Sequence, residues 1–338
     1  MFEHNSTFGL IAFAVCACGL PFAGRIARRW KVYDVPGPLK VHEQPVPRIG
    51  GAAMMAGLAA AMIAAWVMHG APLTVLGVFA AIWLVGLADD VKNLPSALRL
   101  VVHLGAGALL WWAGWRLHWT NFAAFDLLAT CLFVALLINA MNLLDGLDGL
   151  AAGTAAIAAA GFIFLLPGGL SLAGVVAWSL LGICAGMLLH NFPPARIFMG
   201  DSGSTLTGVL LAFLALDWVT LRPEAHSVAL PLMFVALPVV DVALAMVRRL
   251  RGSASPFRGD RRHFYDLLRL RGWSLRSVLC ASYGVTAALV AVGWLCARGW
   301  LAIEVAIPVV GIALAAGAHR LGSLEAESKV IQVEKEAT

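Results

Sequence analysis

The chain is a succession of apolar stretches, each about as long as a lipid bilayer is thick. A transmembrane helix needs roughly 20 consecutive apolar residues. Eleven such stretches are visible, at 7–24, 51–68, 73–88, 98–115, 123–140, 151–166, 171–190, 204–220, 228–247, 278–296 and 300–318. Hydrophobic residues form 61% of the chain and charged residues only 13%, which excludes an ordinary soluble domain. The sequence therefore predicts an all-α, polytopic membrane protein with about eleven transmembrane helices. One multi-span domain would cover 1–321, and a polar tail that we expect to be disordered would cover 322–338.

The basic residues are divided very unevenly between the two sides that these stretches define. If the N-terminus lies outside, 21 of the 24 Lys and Arg residues fall in inner loops, and only Arg116, Arg222 and Arg298 lie outside. Cytoplasmic loops carry such an excess of positive charge. We therefore expect an outer N-terminus and a cytoplasmic C-terminus. The positive loops need no nucleic acid as a partner, because the head groups of anionic lipids attract them.

Acidic and amide side chains collect in these inner loops. The doublet Asp89-Asp90 ends the third apolar stretch. A carboxylate is disfavoured at a helix C-terminus, so capping does not explain the doublet and a bound cation does. Asp145 and Asp148 follow the fifth stretch and are three residues apart, so a helical turn would place them on one face. Gly146 and Gly149 would leave space there for a ligand to approach the backbone.

Asp201 precedes the eighth stretch and allows two interpretations, a helix N-cap or a metal ligand. Oxygen ligands without clustered His or Cys favour Mg²⁺ or Mn²⁺ over Zn²⁺. Basic residues in the same loops suit a diphosphate bound to that metal, and they are Lys40, His42, Lys92, Arg196 and His263. The Gly-x-x-x-x-Gly-Lys loop of nucleotide-driven engines does not occur in the sequence. Backbone N–H groups at Gly50-Gly51 and at 200–203 are further candidates for binding phosphate.

Three residues within apolar stretches have less certain roles in the sequence alone. Asp241 either pairs with a basic group or contacts a nucleotide. Pro238 should bend the ninth span. His103 is expected to form a hydrogen bond between helices and not to bind a metal.

Several of these motifs, in this order, resemble those of the polyprenyl-phosphate N-acetylhexosamine-1-phosphate transferases, a group within glycosyltransferase family 4. The resemblance spans most of the chain and rests on five segments. They are Lys40-Val41-His42 with Pro45, Pro47 and Gly50-Gly51; Asp89-Asp90; 139–149; 191–204; and 255–263, which ends in Asp260-Arg261-Arg262-His263.

The resemblance implies a Mg²⁺-dependent enzyme of the bacterial cytoplasmic membrane whose site faces the cytoplasm. It would transfer a sugar-1-phosphate from a UDP-amino sugar to undecaprenyl phosphate and release UMP, as the first step of a lipid-linked glycan such as O-antigen or capsule. Besides the two substrates and the bilayer, a second copy of the chain is a candidate partner. The carboxylate matching Asp201 would bind the metal, and the doublet would lie beside the lipid phosphate.

We accordingly assign three sets of site residues as expectations. The catalytic set is Asp89, Asp90, Asp148 and His263. The substrate-binding set is Lys40, His42, Lys92, Asn139, Asn142, Asp145, Asn191, Arg196 and Arg262. The metal ligands are Asp201 and Asp145.

The chain departs from the resemblance in its last inner loop. Members that use N-acetylglucosamine commonly carry a His-Ile-His-His motif there, whereas this chain reads His263-Phe264-Tyr265-Asp266. The departure leaves the donor open between N-acetylglucosamine and a 6-deoxy amino sugar such as a FucNAc or QuiNAc relative. A transporter is the alternative function, but it would place ionisable groups near the bilayer midplane and show repeated halves. A non-catalytic scaffold would not need acids converging on one face.

Overall fold

The computed structural model describes residues 3–35, 44–120, 122–166, 169–222, 227–251 and 262–323. In this part of the chain there are thirteen helices and one two-stranded antiparallel sheet. The helices are α1 (Glu3–Trp30), α2 (Gly50–His69), α3 (Thr74–Lys92), α4 (Ser96–Trp112), α5 (Ala123–Leu144), α6 (Leu150–Leu165), α7 (Leu172–Asn191), α8 (Gly200–Leu221), α9 (Ala229–Phe234), α10 (Ala236–Arg251), α11 (Phe264–Leu270), α12 (Leu275–Ala297) and α13 (Ile303–Arg320). The strands β1 (Tyr33–Asp34) and β2 (Val46–Pro47) pair between α1 and α2.

Each predicted apolar stretch coincides with helix, because a backbone surrounded by lipid must satisfy its hydrogen bonds internally. Eight helices are long and apolar enough to cross a membrane: α1, α2, α3, α5, α7, α8, α12 and α13. Two further apolar helices, α4 and α6, are shorter. The chain is a multi-pass, all-α membrane protein, as predicted. The number of crossings and their direction stay predictions.

The ninth stretch departs from a single continuous span. It is divided at Val235 into α9 and α10. Pro238 lies three residues beyond the break and has no N–H to donate to the carbonyl of Phe234, one turn earlier. The predicted bend is therefore a full interruption of the helix. The short helix α11, which sequence patterning did not predict, follows in the last loop.

Helix α8 forms the centre of the bundle. Of the 18 residues that form its most apolar part, 83% are buried, whereas the corresponding share for α13 at the periphery is 11%. It packs against α2, α3, α5, α6, α7 and α9. Glycines also allow α1 and α7 to pack closely. A methyl group added to Gly182 of α7 would lie 2.2 Å from the carbonyl oxygen of Gly9 in α1. The alternating chain direction places the starts of α2, α6 and α8 and the ends of α3, α5 and α7 at one end of the bundle.

Candidate active site

Asp90 forms the structural centre of this end of the bundle. It lies in the last turn of α3, and its carboxylate caps the start of α8, where Oδ1 accepts from the Asp201 N–H at 2.8 Å and Oδ2 from the Ser202 N–H at 3.1 Å. The Ser202 hydroxyl donates to Oδ2 as well, at 2.7 Å. Gly200 permits this approach, because its φ is +70° and a side chain there would meet Asp90. The prediction that capping cannot explain the doublet is thus wrong for Asp90, which caps a different helix.

Arg48, which the sequence analysis did not select, holds two of the carboxylates. Its Nε and Nη2 lie 3.2 Å and 3.1 Å from Asp90 Oδ1, and Nη2 is also 3.1 Å from Asp201 Oδ2. Nη1 lies 3.8 Å from Asp34 Oδ1 in β1. Burial disfavours the charge on Arg48, but the three carboxylates outweigh burial and raise its pKa. Its position directly before the apolar stretch at Gly50 was the available signal, since a charge there needs a partner.

Asp89 faces the next helix instead. Its Oδ1 accepts from the Leu94 N–H at 2.6 Å, and its Oδ2 lies 2.5 Å from Nη1 of Arg99 at the start of α4. Adjacent in sequence, Asp89 and Asp90 therefore have different surroundings.

Asp201 is the junction of the cluster. It lies in the first turn of α8, but its side chain does not cap that helix. Oδ1 accepts from Asn142 Nδ2 at 2.7 Å, Oδ2 contacts Arg48, and the side chain is 26% exposed. Asn142 also donates to the Ser204 hydroxyl at 3.1 Å. Of the two interpretations given above, N-capping does not apply, and a partly open carboxylate remains.

Asp145 is the least compensated of these acids. It follows the end of α5 and is half-buried, and no hydrogen bond or close ion pair reaches its carboxylate among the described residues. Burial, followed by the charges of Asp201 and Asp90, raises the pKa of Asp145 well above its ordinary value. An unpartnered carboxylate beside two others favours a bound cation.

The loop between α5 and α6 is not the helical turn that we predicted. Residues 145–149 form turns, so Asp145 and Asp148 do not share a helix face. Asp148 Oδ2 instead accepts from the Ala195 N–H at 2.9 Å, which ties this loop to the one before α8. Asn191 strengthens the tie, because it accepts from the Gly149 N–H at 2.8 Å and donates to the Ile197 carbonyl at 3.0 Å.

His263 is placed by Asp241, which resolves the role of that acid in favour of pairing. His263 Nδ1 lies 2.5 Å from Asp241 Oδ2, and the Phe264 N–H donates to Asp241 Oδ1 at 3.0 Å. The imidazole stacks on the ring of Tyr265, with centroids 5.4 Å apart. Tyr265 in turn donates to the Leu143 carbonyl at 2.9 Å, so this histidine is connected to the end of α5.

Arg262 contacts the C-terminus of α13. Its Nη2 donates to the Gly322 carbonyl at 3.0 Å, and Arg248 Nη1 donates to the Ser323 carbonyl at 2.8 Å. Both carbonyls lie just beyond the end of α13 at Arg320, where they accept bonds from these guanidinium groups. Gly322 and Ser323, assigned to the tail from sequence, therefore contact the body of the protein. The remaining tail residues, 324–338, lie outside the described residues.

The other expected site residues lie elsewhere. Asn139 contacts His103 Nδ1 at 3.2 Å on the facing side of α4, so the interhelical role predicted for His103 is confirmed. Lys92 and Arg196 are exposed at the rim. Lys40 and His42 lie outside the described residues.

Two predicted routes for a ligand to the backbone are closed. The Gly50 and Gly51 N–H groups donate to the Phe198 and Met199 carbonyls, those of Asp201 and Ser202 bond to Asp90, and that of Gly203 donates to Met199, so these five predicted phosphate-binding amides are occupied. The space at Gly146 is filled by the Tyr265 hydroxyl, which would lie 2.2 Å from an added methyl group. Gly50, Gly51 and Gly146 therefore allow neighbouring segments to pack closely.

The oxygen atoms of this site fit a hard divalent cation that is bound by only a few protein ligands. No group of three or more His, Cys, Asp or Glu side chains converges at metal-binding distance in the described part of the chain. Mg²⁺ commonly takes only one or two carboxylates and completes its shell with water and substrate phosphate. Asp201, partly open, and Asp145, unpartnered, supply such a pair with Asn142 beside them.

Comparison with known proteins agrees with this description of the protein. Residues 72–219 match the model of glycosyl transferase family 4. The probable undecaprenyl-phosphate N-acetylglucosaminyl 1-phosphate transferase of Bacillus subtilis is 31% identical over 78% of this chain and 76% of its own length. The decaprenyl-phosphate N-acetylglucosaminephosphotransferase of Mycobacterium leprae is 30% identical over 81% of the chain and 79% of its own. The undecaprenyl-phosphate alpha-N-acetylglucosaminyl 1-phosphate transferase of Escherichia coli K12 is 27% identical over 79% of each.

The fold and the site thus define a multi-pass membrane protein with an arginine-braced acidic cluster at one end of its helical bundle. The chain belongs to glycosyl transferase family 4, as its motifs predicted.

Proposed function

We propose that this protein transfers N-acetylhexosamine 1-phosphate from a UDP-activated donor to a polyprenyl phosphate, with release of UMP. The observation that carries the proposal is the cluster itself, in which Asp201 and Asp145 remain available to a cation while Asp90 and Arg48 fix their surroundings. The names of the similar proteins support polyprenyl phosphate as acceptor and N-acetylglucosamine as the first donor to test. The excess of inner basic residues supports a cytoplasm-facing site.

The transfer joins two anions, and this governs what the protein must supply. An oxygen of the lipid phosphate attacks the β-phosphorus of the donor, the bond to the bridging oxygen breaks, and UMP leaves with the electron pair. A phosphomonoester with a second pKa near ~6 is largely ionised at neutral pH, so a strong general base is unnecessary. Bound at Asp201 and Asp145, Mg²⁺ would neutralise charge on the diphosphate.

The residues of the chain itself then have separable roles. Asp90 positions the start of α8 and is held by Arg48, so it acts by placing Asp201. Asp89, held by Arg99 at the end of α3, would help to position the attacking phosphate. Asp241 fixes the orientation of His263 through Nδ1, and a ring that carries hydrogen on both nitrogens could then donate from Nε2 to a phosphate oxygen.

The identity of the sugar is the least constrained part of the proposal. Tyr265 is the residue that suggested a 6-deoxy donor. It is 5% exposed, and its hydroxyl donates to the Leu143 carbonyl at the end of α5. That contact gives the tyrosine a structural reason to be present. We therefore rank UDP-N-acetylglucosamine first and a UDP-6-deoxy amino sugar second.

The decisive experiment is direct. Purified protein is incubated with undecaprenyl phosphate, Mg²⁺ and a panel of UDP-amino sugars, and UMP and lipid product are measured. Asp201→Asn should remove nearly all transfer. Asp217→Asn is the matched control, since Asp217 lies on the same helix at the opposite end, where it accepts from Trp115 Nε1 at 3.0 Å. Absence of UMP with every donor, or equal activity of the two variants, would overturn the proposal.

A further inference from the structure

A cavity lies at the end of the bundle opposite the acidic cluster. Its volume is about 780 Å³, and it opens between the last turns of α6, α8 and α12 and the first turns of α7 and α13. Its walls are mostly aromatic and aliphatic, and they include Phe164, Trp178, Leu230 and Ile303. Cavities of roughly 300–1,000 Å³ with a few polar groups are typical ligand sites.

Two arginines line this cavity. The Arg222 guanidinium lies 3.5 Å from the centre of the Trp218 ring, and that of Arg298 lies 4.9 Å from the centre of the Trp294 ring. Neither guanidinium has a hydrogen bond or an ion pair within the described ranges of the chain. Stacking on an indole fixes a cation without using its N–H donors. Both charges are therefore held in place with their N–H donors not used by any described residue.

The buried polar atoms of the lining residues that have no described partner are two donors and one acceptor, the Oδ1 atom of Asn5. The indole N–H groups of Trp218 and Trp294 are buried and meet no acceptor in the part of the chain that the structure describes. Trp218 is 5% exposed. No described carboxylate lines the cavity, and the nearby Asp217 accepts from Trp115 instead. A cavity with aromatic and aliphatic side chains in its walls and two cations held at their indole rings is complementary to an amphiphile with an anionic head.

The geometry points to a binding site for an anionic phospholipid, with the phosphodiester between Arg222 and Arg298 and the first part of the acyl chains along the aromatic wall. Such a lipid would bridge α8 and α12 to α13, which packs weakly on the rest of the bundle. The site is independent of the transfer reaction proposed above. Because free phosphate has the same recognition chemistry, the two sources must be distinguished.

The test uses the full-length protein in phosphatidylcholine nanodiscs titrated with phosphatidylglycerol. Retained lipid is counted by native mass spectrometry, and the unfolding temperature is measured in parallel. We expect phosphatidylglycerol to be retained preferentially and to raise the unfolding temperature. Arg222→Gln and Arg298→Gln should each weaken its binding roughly fivefold, the usual effect of one basic residue at an anionic surface. The lysine variants should keep the preference.

Arg116→Gln is the matched control. Arg116 lies at the same end and stacks on Trp111 at 5.5 Å, but it does not line the cavity. This variant changes net charge equally and should alter affinity less than twofold. An effect equal to that of the cavity variants, or equal retention of phosphatidylcholine, would overturn the site. Displacement of the lipid by inorganic phosphate alone would overturn the lipid as its ligand. Unfolding temperatures in pure phosphatidylcholine identify any glutamine variant that fails to fold. For such a position, the lipid preference of the lysine variant decides whether the site exists.

Discussion

Replacing Asp90 and Asp145 by asparagine should have opposite effects on stability although both residues belong to one cluster. Asp90 accepts five hydrogen bonds, from Arg48 twice, the Asp201 N–H, the Ser202 N–H and the Ser202 hydroxyl. Asparagine offers one acceptor oxygen. If that oxygen faces Arg48, its amide group faces the Ser202 N–H, and the cap of α8 is damaged.

The loss can be estimated from these contacts. A lost helix cap costs about 1 kcal/mol. Leaving Arg48 without its main counterion costs about 2 kcal/mol, below the usual range for a fully buried pair because Arg48 is 22% exposed. We therefore expect Asp90→Asn to lower the free energy of unfolding by about 3 kcal/mol, which corresponds to roughly 5 °C or more in unfolding temperature.

Asp145→Asn should not destabilise the protein without metal. The pKa of Asp145 is raised, so the folded protein binds this proton more tightly than the unfolded chain does. Ionisation at neutral pH then costs folding free energy, and the cost disappears as the pH falls through the folded pKa. Asparagine removes that cost, so we expect an unchanged or slightly higher free energy of unfolding, by up to about 1 kcal/mol.

The assay is thermal unfolding of the detergent-solubilised protein in EDTA and again in Mg²⁺, with transfer activity measured beside it. Both variants should be inactive. Mg²⁺ should stabilise the wild type more than Asp145→Asn. If Asp145→Asn proves as destabilising as Asp90→Asn in EDTA, the acid has a stabilising partner and the reasoning is refuted. Wild-type stability of Asp90→Asn would refute its capping role.

Three further predictions follow from the site and the topology. EDTA should abolish transfer and Mg²⁺ or Mn²⁺ should restore it, while Asp201→Asn inserts and folds but stays inactive; activity of that variant in chelator would contradict the metal site. In a background without the six native cysteines, a cysteine at Lys92 should be shielded from an impermeant reagent in intact cells and one at Arg222 labelled; the reverse pattern would invert the topology. Tyr265→Phe removes the bond to the Leu143 carbonyl and should cost about 1 kcal/mol of stability without changing the ratio of rates for UDP-N-acetylglucosamine and a 6-deoxy donor; a changed ratio would return this loop to sugar selection.

The helices and the acidic face were predictable because both follow from the cost of polar groups in lipid. Apolar length located every long span, and the counting of basic residues put Asp201 and Asn142 on one side of the membrane before any contact was known. Pro238 was likewise informative, since its missing N–H leaves the carbonyl of Phe234 without its helical partner. These signals are local in sequence.

Pairings between distant segments were not predictable. Asp90 accepts from Asp201, 111 residues later in the chain, at the start of a different helix, so its local position at a helix end suggested the wrong role. The position of Arg48 before an apolar stretch indicated that it needs a partner but not which one, and Asp241 allowed two partners until His263 was seen beside it. Tyr265 was interpreted through sugar chemistry because nothing in its own segment indicates Gly146 as the surface on which it packs.

The attachment of the His263 loop to the end of α13 has a consequence for biogenesis. Arg262 and Arg248 bind carbonyls that belong to the last described turn of the chain, at Gly322 and Ser323. These acceptors leave the ribosome after every other described residue. We expect the histidine loop to reach its final position only once the last helix has been inserted. A partly synthesised chain would then bind neither substrate productively, and chains truncated before Gly322 would enter the membrane as inert protein.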